Sequence, residues 1–339
     1  MTSKKILFIV GNSRSGTTML GRIIGNSPQI HTFGELHFFE HQVCAEDIHE
    51  RRTWPSERRV ALVERLLTSS RKGFFAPVHS GEYREDAVQI VERASDESAL
   101  SSYAEFLGFE TSRAGKLIPC EQTPRYLFFV EEILGAFPDC RVVNMIRDPR
   151  DVLLSQKNKW RRRGLGAKNI PVKEVVRAWA NYHPYTISRL WVSAVRKADK
   201  YEKHPRFKSI RFEDLVEAPD QVVRELCEFL NVPFEESMLA VPQVGSSTGV
   251  DRPDRLGVAG GRAGAWRKGG LTSTEIEICQ RVAGPAMREH GYSCEPVSPS
   301  SVRRYISMLQ FGLKGAAALL LNLGRTRNLR ETLKRRLAS

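Results

Sequence analysis

Cysteine is sparse and scattered in this 339-residue chain: Cys44, Cys120, Cys140, Cys227, Cys279 and Cys294 include no C-x-x-C pair. That pattern argues against a thiolate metal site and against a disulfide frame, and it fits reduced thiols in the cytoplasm. Long apolar runs are also missing. The largely apolar stretch 313–323 falls short of the roughly 20 residues that a membrane-spanning helix needs. The N-terminal run Ile6–Val10 passes directly into a polar loop, unlike a secretory leader. Acidic charge is scarce at the C-terminal end, where 301–339 sets nine Lys/Arg against the single Glu331, within an overall net charge of +13. The basicity is mostly that of a tail. Such a tail suits either peripheral contact with an anionic membrane surface or a helical hairpin packed on the domain with a solvated face.

What is present near the N-terminus is an apolar run that breaks into Gly11-Asn12-Ser13-Arg14-Ser15-Gly16-Thr17-Thr18 and then a helical pattern. A buried strand that feeds a glycine-bearing loop and a helix N-terminus brings backbone N–H groups together on an anion. The spacing, Gly, four residues, Gly, is that of the nucleotide-binding P-loop, yet Thr17 stands where the NTPase version has lysine. With Arg14 inside the turn and two threonines after it, the loop suits a phosphate-like group handled without ATP hydrolysis.

Alternating apolar runs and helical periodicity predict an α/β fold, P-loop-containing, with a central parallel sheet flanked by helices. Strands are expected at Ile6–Val10, Lys116–Cys120, Arg141–Ile146 and Phe207–Phe212. Helices are expected at Thr17–Ile24, Tyr126–Phe137, Pro149–Lys159, Val172–Lys197 and Pro219–Leu230. Residues 40–114 are charged and helical in pattern, a helical insertion expected to wall the acceptor side. Residues 1–300 form the domain and 301–339 a basic helical C-terminal extension; Pro242–Gly270 reads as a long functional loop.

A second anion-handling motif follows the third expected strand. That strand ends at Arg147, Pro149 suits a first helical turn, and Ser155 lies about two turns along the helix. Carboxyl ends of neighbouring parallel strands line one crevice, so Arg147 and the first loop should face the same ligand. Taken together, the two motifs resemble the sulfotransferases that use 3′-phosphoadenosine-5′-phosphosulfate (PAPS), closest to the tyrosylprotein/carbohydrate and bacterial sulfotransferase branch. Gly34-Glu35, Glu121-Gln122-Thr123-Pro124, Ile210–Leu215 and Arg262–Arg267 look like further landmarks.

The resemblance implies that Ser13, Arg14, Ser15, Gly16, Thr17 and Thr18 hold the 5′-phosphosulfate, and that Arg147 and Ser155 hold the 3′-phosphate. It implies that Arg262, Gly264 and Trp266 belong to a late loop closing over the nucleotide. Glu35 is the implied base, with His31 and His37 as rivals, and Arg14 stabilises the leaving group as 3′,5′-adenosine bisphosphate departs. Gln122 stands where relatives often have lysine; either Arg14 acts alone or another cation reaches in. Glu35, His37 and Gln122 are the acceptor-side candidates, and no metal is required. The acceptor is a hydroxyl, of a carbohydrate or glycolipid rather than a protein tyrosine, because a cytoplasmic enzyme does not meet secreted proteins.

The run Lys157–Arg163 reads either as a basic lip favouring an anionic or lipid-linked acceptor or as a solvated helix end. Trp160, Trp179 and Trp266 either stack on a ligand or belong to the core. Nucleic-acid binding is not indicated, since no aromatic-interleaved recognition motif accompanies the basic run. The alternative reading, a divergent P-loop kinase or NTPase, predicts Mg²⁺-dependent ATP binding, against which the absent lysine argues.

Overall fold

The computed structural model of the chain describes residues 5–299 except 80, 166–169 and 248, and beyond these 302, 305, 306, 309, 311, 312, 314, 315 and 321. Strand β1 (Leu7–Gly11) leads into helix α1 (Thr17–Gly25), and strand β2 (Ile30–Phe33) follows. Helices α2 (Ala45–His49), α3 (Ser56–Lys72), α4 (Arg84–Arg93) and α5 (Ala99–Arg113) then separate β2 from β3 (Ile118–Gln122). A 3-10 turn over Pro124–Phe129 and α6 (Val130–Ala136) lead to β4 (Arg141–Ile146) and α7 (Pro149–Lys157). After a 3-10 segment, Lys159–Leu165, come α8 (Val172–Ala180) and α9 (Pro184–Asp199), then β5 (Phe207–Arg211), α10 (Phe212–Glu217) and α11 (Pro219–Leu230). A small hairpin, β6 (Pro242–Gln243) and β7 (Arg252–Leu256), precedes α12 (Ser273–Glu289).

Five strands form one parallel sheet in the order β2-β3-β1-β4-β5. All five residues of β1 are buried, as a central parallel strand covered on both faces requires. Its side chains alternate between two cores. Phe8 and Val10 pack with Leu66, Tyr103 and Phe106 of the inserted helices, while Leu7 and Ile9 pack with Leu20 of α1 and Leu226 of α11. Burying a side chain of this size contributes about 1.5–3 kcal/mol, so β1 anchors the loop that follows it. From β1 the chain runs to β2 on one side of the sheet and from β4 to β5 on the other, which opens a crevice at the carboxyl ends of β1 and β4.

Several element boundaries differ from expectation. The single helix expected over 172–197 is two, because Pro184 lacks an N–H and forces the preceding His183 into extended backbone, where its side chain accepts the Tyr185 N–H and caps α9. The helix expected from Tyr126 begins as a 3-10 turn, and α7 ends at Lys157. β3 lies two residues later than Lys116–Cys120, and β2 is an additional strand, a four-residue edge whose pairing partner β3 lies beyond the whole insertion. Most of 301–339, including most of the apolar stretch 313–323, lies outside the described residues. Among those described, no helix is long and apolar enough to cross a membrane.

Candidate active site

The P-loop-like turn is held by contacts that only glycine tolerates. At Gly11, φ is 151°, and a Cβ would stand 2.6 Å from the Met145 carbonyl oxygen of β4; at Gly16, φ is 98°, and a Cβ would stand 2.4 Å from the Phe212 ring. Arg14 is itself left-handed at φ 76°, which turns its side chain back across the crevice. Register places Gly11 opposite Met145, so Arg147 emerges two residues beyond the level of the loop.

Loop, α1 N-terminus and Arg147 open into one cavity of about 750 Å³, which Ser13, Arg14, Gly16, Thr17, Thr18 and Ser155 also line. Arg14 Nε donates to Ser155 Oγ at 2.9 Å, and its Nη2 donates to Ser247 Oγ at 2.6 Å and to the Gly245 carbonyl at 3.1 Å. The two motifs are thereby tied through one guanidinium. Arg147 donates to the Arg14 carbonyl at 3.3 Å and the Arg262 carbonyl at 2.8 Å, its own carbonyl accepts the Trp191 indole N–H at 2.8 Å, and its Nε is buried without a hydrogen-bond partner.

Positive charge is crowded here. Arg22, Arg162 and Arg262 line the same cavity. Burial, with Arg162 and Arg147 nearby, pushes the Arg14 guanidinium down to about 10, and burial also lowers Arg22, Arg147 and Arg262. A pocket that makes its own cations costly to hold charged favours a multiply charged anion.

Not every expected donor-side residue faces the cavity. Ser15 is fully buried, and its hydroxyl points instead toward a small void beside Asn144 and Trp191. Gly264 and Trp266 act from behind: their N–H groups donate to the two Asp151 oxygens at 2.8 and 2.9 Å, and the Trp266 ring is covered by Arg150 at 4.1 Å. Trp266 is a core residue that holds the late loop, while Arg262 and Ala265 reach the cavity. The Gln122 amide donates to Thr17 Oγ1 at 3.2 Å from beneath α1 and does not line the cavity, so it is no acceptor contact.

Glu35 opens into the other side of the cavity, with its side chain 45% exposed. β2 pairs Phe33 with Glu121 of β3, which brings the Glu35 loop beside Thr123. The Leu36 N–H donates to Glu121 and Thr123 at 3.2 Å each, and the Phe38 N–H donates to the Tyr126 hydroxyl at 2.7 Å. Burial pushes Glu121 up to about 8, with one of its oxygens unpartnered, so it supports this loop as a neutral acid. Burial also raises Glu35, but the hydrogen bond and charge of His37, then Lys159 and Arg125, outweigh it and hold this carboxylate below the usual range.

His37 Nε2 lies 3.1 Å from Glu35, and Nδ1 lies 2.6 Å from Glu40. Burial lowers its pKa, yet the two carboxylates more than compensate and push it up to about 9. At neutral pH His37 is therefore an imidazolium clamp and not a base. His41 stands close enough to complete a metal-like trio with His37 and Glu40, but both His37 nitrogens are already engaged by carboxylates. His31 lies on β2, edge-on to Phe33, outside the cavity.

Sequence reasoning missed Arg22, Ser247 and Arg125, and it named Arg162 only as part of the basic run, not as a neighbour of Arg14. Arg162 lies in the basic run, where it pairs with Asp251 at 2.9 Å and donates to the Ser246 carbonyl at 2.6 Å, fastening the loop that carries Ser247. Lys157 of that run pairs with Glu275 of α12 at 2.7 Å and is tied down, while Lys159 and Arg162 of the run line the cavity.

The sequence profile of the sulfotransferase family matches residues 7–236, which include the loop, Glu35, Arg147 and Ser155. The chain belongs to the sulfotransferase family. An uncharacterized protein of Aquifex aeolicus is 24% identical over 244 residues, 70% of this chain, and the match spans about a quarter of that relative's length, 27%. In fold, the chain is similar to the sulfotransferase domain from the curacin biosynthetic pathway, with a TM-score of 0.52, 20% identity, and coverage of 86% of this chain and 99% of that one. The sulfotransferase domain of the Synechococcus PCC 7002 olefin synthase gives a TM-score of 0.48 at 20% identity, over 82% of this chain and 94% of that one.

Proposed function

We propose that the protein transfers a sulfuryl group from PAPS to a hydroxyl of a carbohydrate or glycolipid. The observation that carries this reading is the buried arginine cluster joining two anion motifs, with an ionised carboxylate across the same cavity. Gly16, Thr17, Thr18 and the positive end of α1 hold the phosphosulfate; Arg147, Ser155 and Arg262 hold the 3′-phosphate. The unpartnered Nε of Arg147 fits a phosphate oxygen. Glu35 takes the proton from the acceptor hydroxyl while that oxygen forms its bond to sulfur, and the bond from sulfur to the 5′-phosphate oxygen breaks. Arg14 stabilises the electron pair that leaves with 3′,5′-adenosine bisphosphate, a kind of contribution worth roughly 3–4 kcal/mol. The unbridged cysteines fit action in the cytoplasm, and the basic tail provides peripheral membrane contact.

Thermal shift with 3′,5′-adenosine bisphosphate against ATP plus Mg²⁺ tests the donor assignment. The bisphosphate at about 100 times its Kd adds about 2.7 kcal/mol to stability. Arg147→Ala weakens that binding by roughly 10- to 100-fold, the range for one charge-assisted contact. Stabilisation by ATP–Mg²⁺ alone would mean a kinase or NTPase.

A further inference from the structure

Helix α8 is amphipathic the wrong way round for a helix of a globular domain. Val172, Val176 and Trp179 recur at i, i+4 and i+7 along one stripe, and they are 61%, 47% and 55% exposed. The opposite stripe, Glu174, Arg177, Ala178 and Asn181, lines the cavity. A surface helix ordinarily turns its apolar stripe inward, so this outward stripe calls for a cover.

The C-terminal segment lies alongside. The Lys314 ammonium sits 4.9 Å from the centre of the Trp179 ring, Phe311 packs on His183 at 4.9 Å, and Arg177 Nε donates to the Leu321 carbonyl at 2.8 Å. Yet the α8 stripe stays exposed, and the described residues of this segment carry a second one: Val302, Tyr305, Ile306 and Leu309 fall at i, i+3, i+4 and i+7 and are all exposed. The second stripe belongs to the most basic part of the molecule, since 301–339 sets nine Lys/Arg against one Glu, and Lys314 of that part sits on Trp179 of the α8 stripe. Exposed apolar stripes beside basic charge match the interface of an anionic bilayer. A second copy of the chain, with its own +13, would bring like charges together instead.

We propose that α8 lays Val172, Val176 and Trp179 on an anionic lipid surface, with its polar face walling the cavity that receives the headgroup of a membrane-held acceptor. The acceptor part rests on the sulfotransferase reading given above; the docking part does not. Membrane docking then brings the cavity to a hydroxyl that is fixed at the lipid surface and need not diffuse free.

The full chain is sedimented with vesicles of phosphatidylglycerol and phosphatidylcholine, and separately with phosphatidylcholine alone. Binding is expected only to the anionic vesicles. The triple variant Val172→Ser, Val176→Ser, Trp179→Ser lowers that binding by about tenfold or more, while its thermal shift with 3′,5′-adenosine bisphosphate matches that of the parent and certifies its fold. Tryptophan emission shifts to the blue on anionic vesicles, and Trp179→Phe removes most of the shift while retaining binding. Three results overturn the proposal: no binding by the parent, equal binding by the triple variant, or a parent dimer in sedimentation velocity that the triple variant dissociates, which would make a second copy the cover. Vesicle binding without any bisphosphate shift would instead defeat the donor reading and leave the docking surface standing.

Discussion

The cavity has two walls built in different ways. On the donor wall, strand ends and a glycine-constrained loop carry arginines whose hydrogen bonds run to buried partners: Arg14 to Ser155 and Ser247, Arg147 to two backbone carbonyls. On the acceptor wall, Glu35 stands on a loop, Phe75 is an exposed aromatic in the connection between α3 and α4 of the insertion, and α8 presents a polar stripe. The donor wall leaves little room for variation, because a fixed ligand with phosphate at two ends needs fixed cations. The acceptor wall is assembled from an insertion and a short helix, elements that can change without disturbing the sheet.

The sharpest way to separate the walls is Glu35→Gln, which is expected to cut sulfuryl transfer from labelled donor by ~10²–10⁴-fold while bisphosphate binding persists. Unchanged turnover would remove Glu35 as the base. Breaking the donor wall needs only one methyl group: Gly11→Ala meets the Met145 carbonyl and is expected to destabilise the fold by about 3 kcal/mol, read by urea denaturation. A wild-type midpoint would show that the loop is looser than its contacts imply.

His37→Gln keeps a hydrogen-bond donor near Glu35 but removes the charge. The Glu35 pKa then rises, and the acidic limb of the kcat/KM profile moves to higher pH, a shift that a purely structural role would not produce. The last effect is on how stability depends on pH. Glu121 titrates near 8 in the fold against 4.5 in the unfolded chain, so the folded state holds the extra proton and stability falls as pH rises between these values, by up to about 1.4 kcal/mol per pH unit. Glu121→Gln removes that slope in thermal melts, whereas the His37 contribution, lost as pH rises from 6.5 to about 9, remains.

Much of the donor wall was legible because it is local. A strand, a glycine turn and a helix N-terminus are contiguous, and Arg147 with Ser155 repeats the arrangement on one strand and one helix. Residues that come to the site from a distance were not legible. Arg162 and Ser247 meet Arg14 only because Asp251 fastens their loops together. Gln122 looked like an acceptor contact from its place before Thr-Pro, yet the register of β1 with β3 turns it under α1. For Trp266 the sequence left open a stacking platform or a core residue, and its backbone bond to Asp151 and the covering Arg150 make it a core anchor.

The sequence by itself determined the parallel α/β class, the anion loop at the end of β1, the Arg147 motif and the family resemblance, since these rest on short-range pattern and on glycines that no other residue can replace. Only the tertiary structure decided that β2 joins the sheet, that His37 bridges two carboxylates, and that α8 turns its apolar stripe outward. Those features depend on which surfaces meet across large separations in the chain, and helical spacing marks a stripe without saying which way it faces.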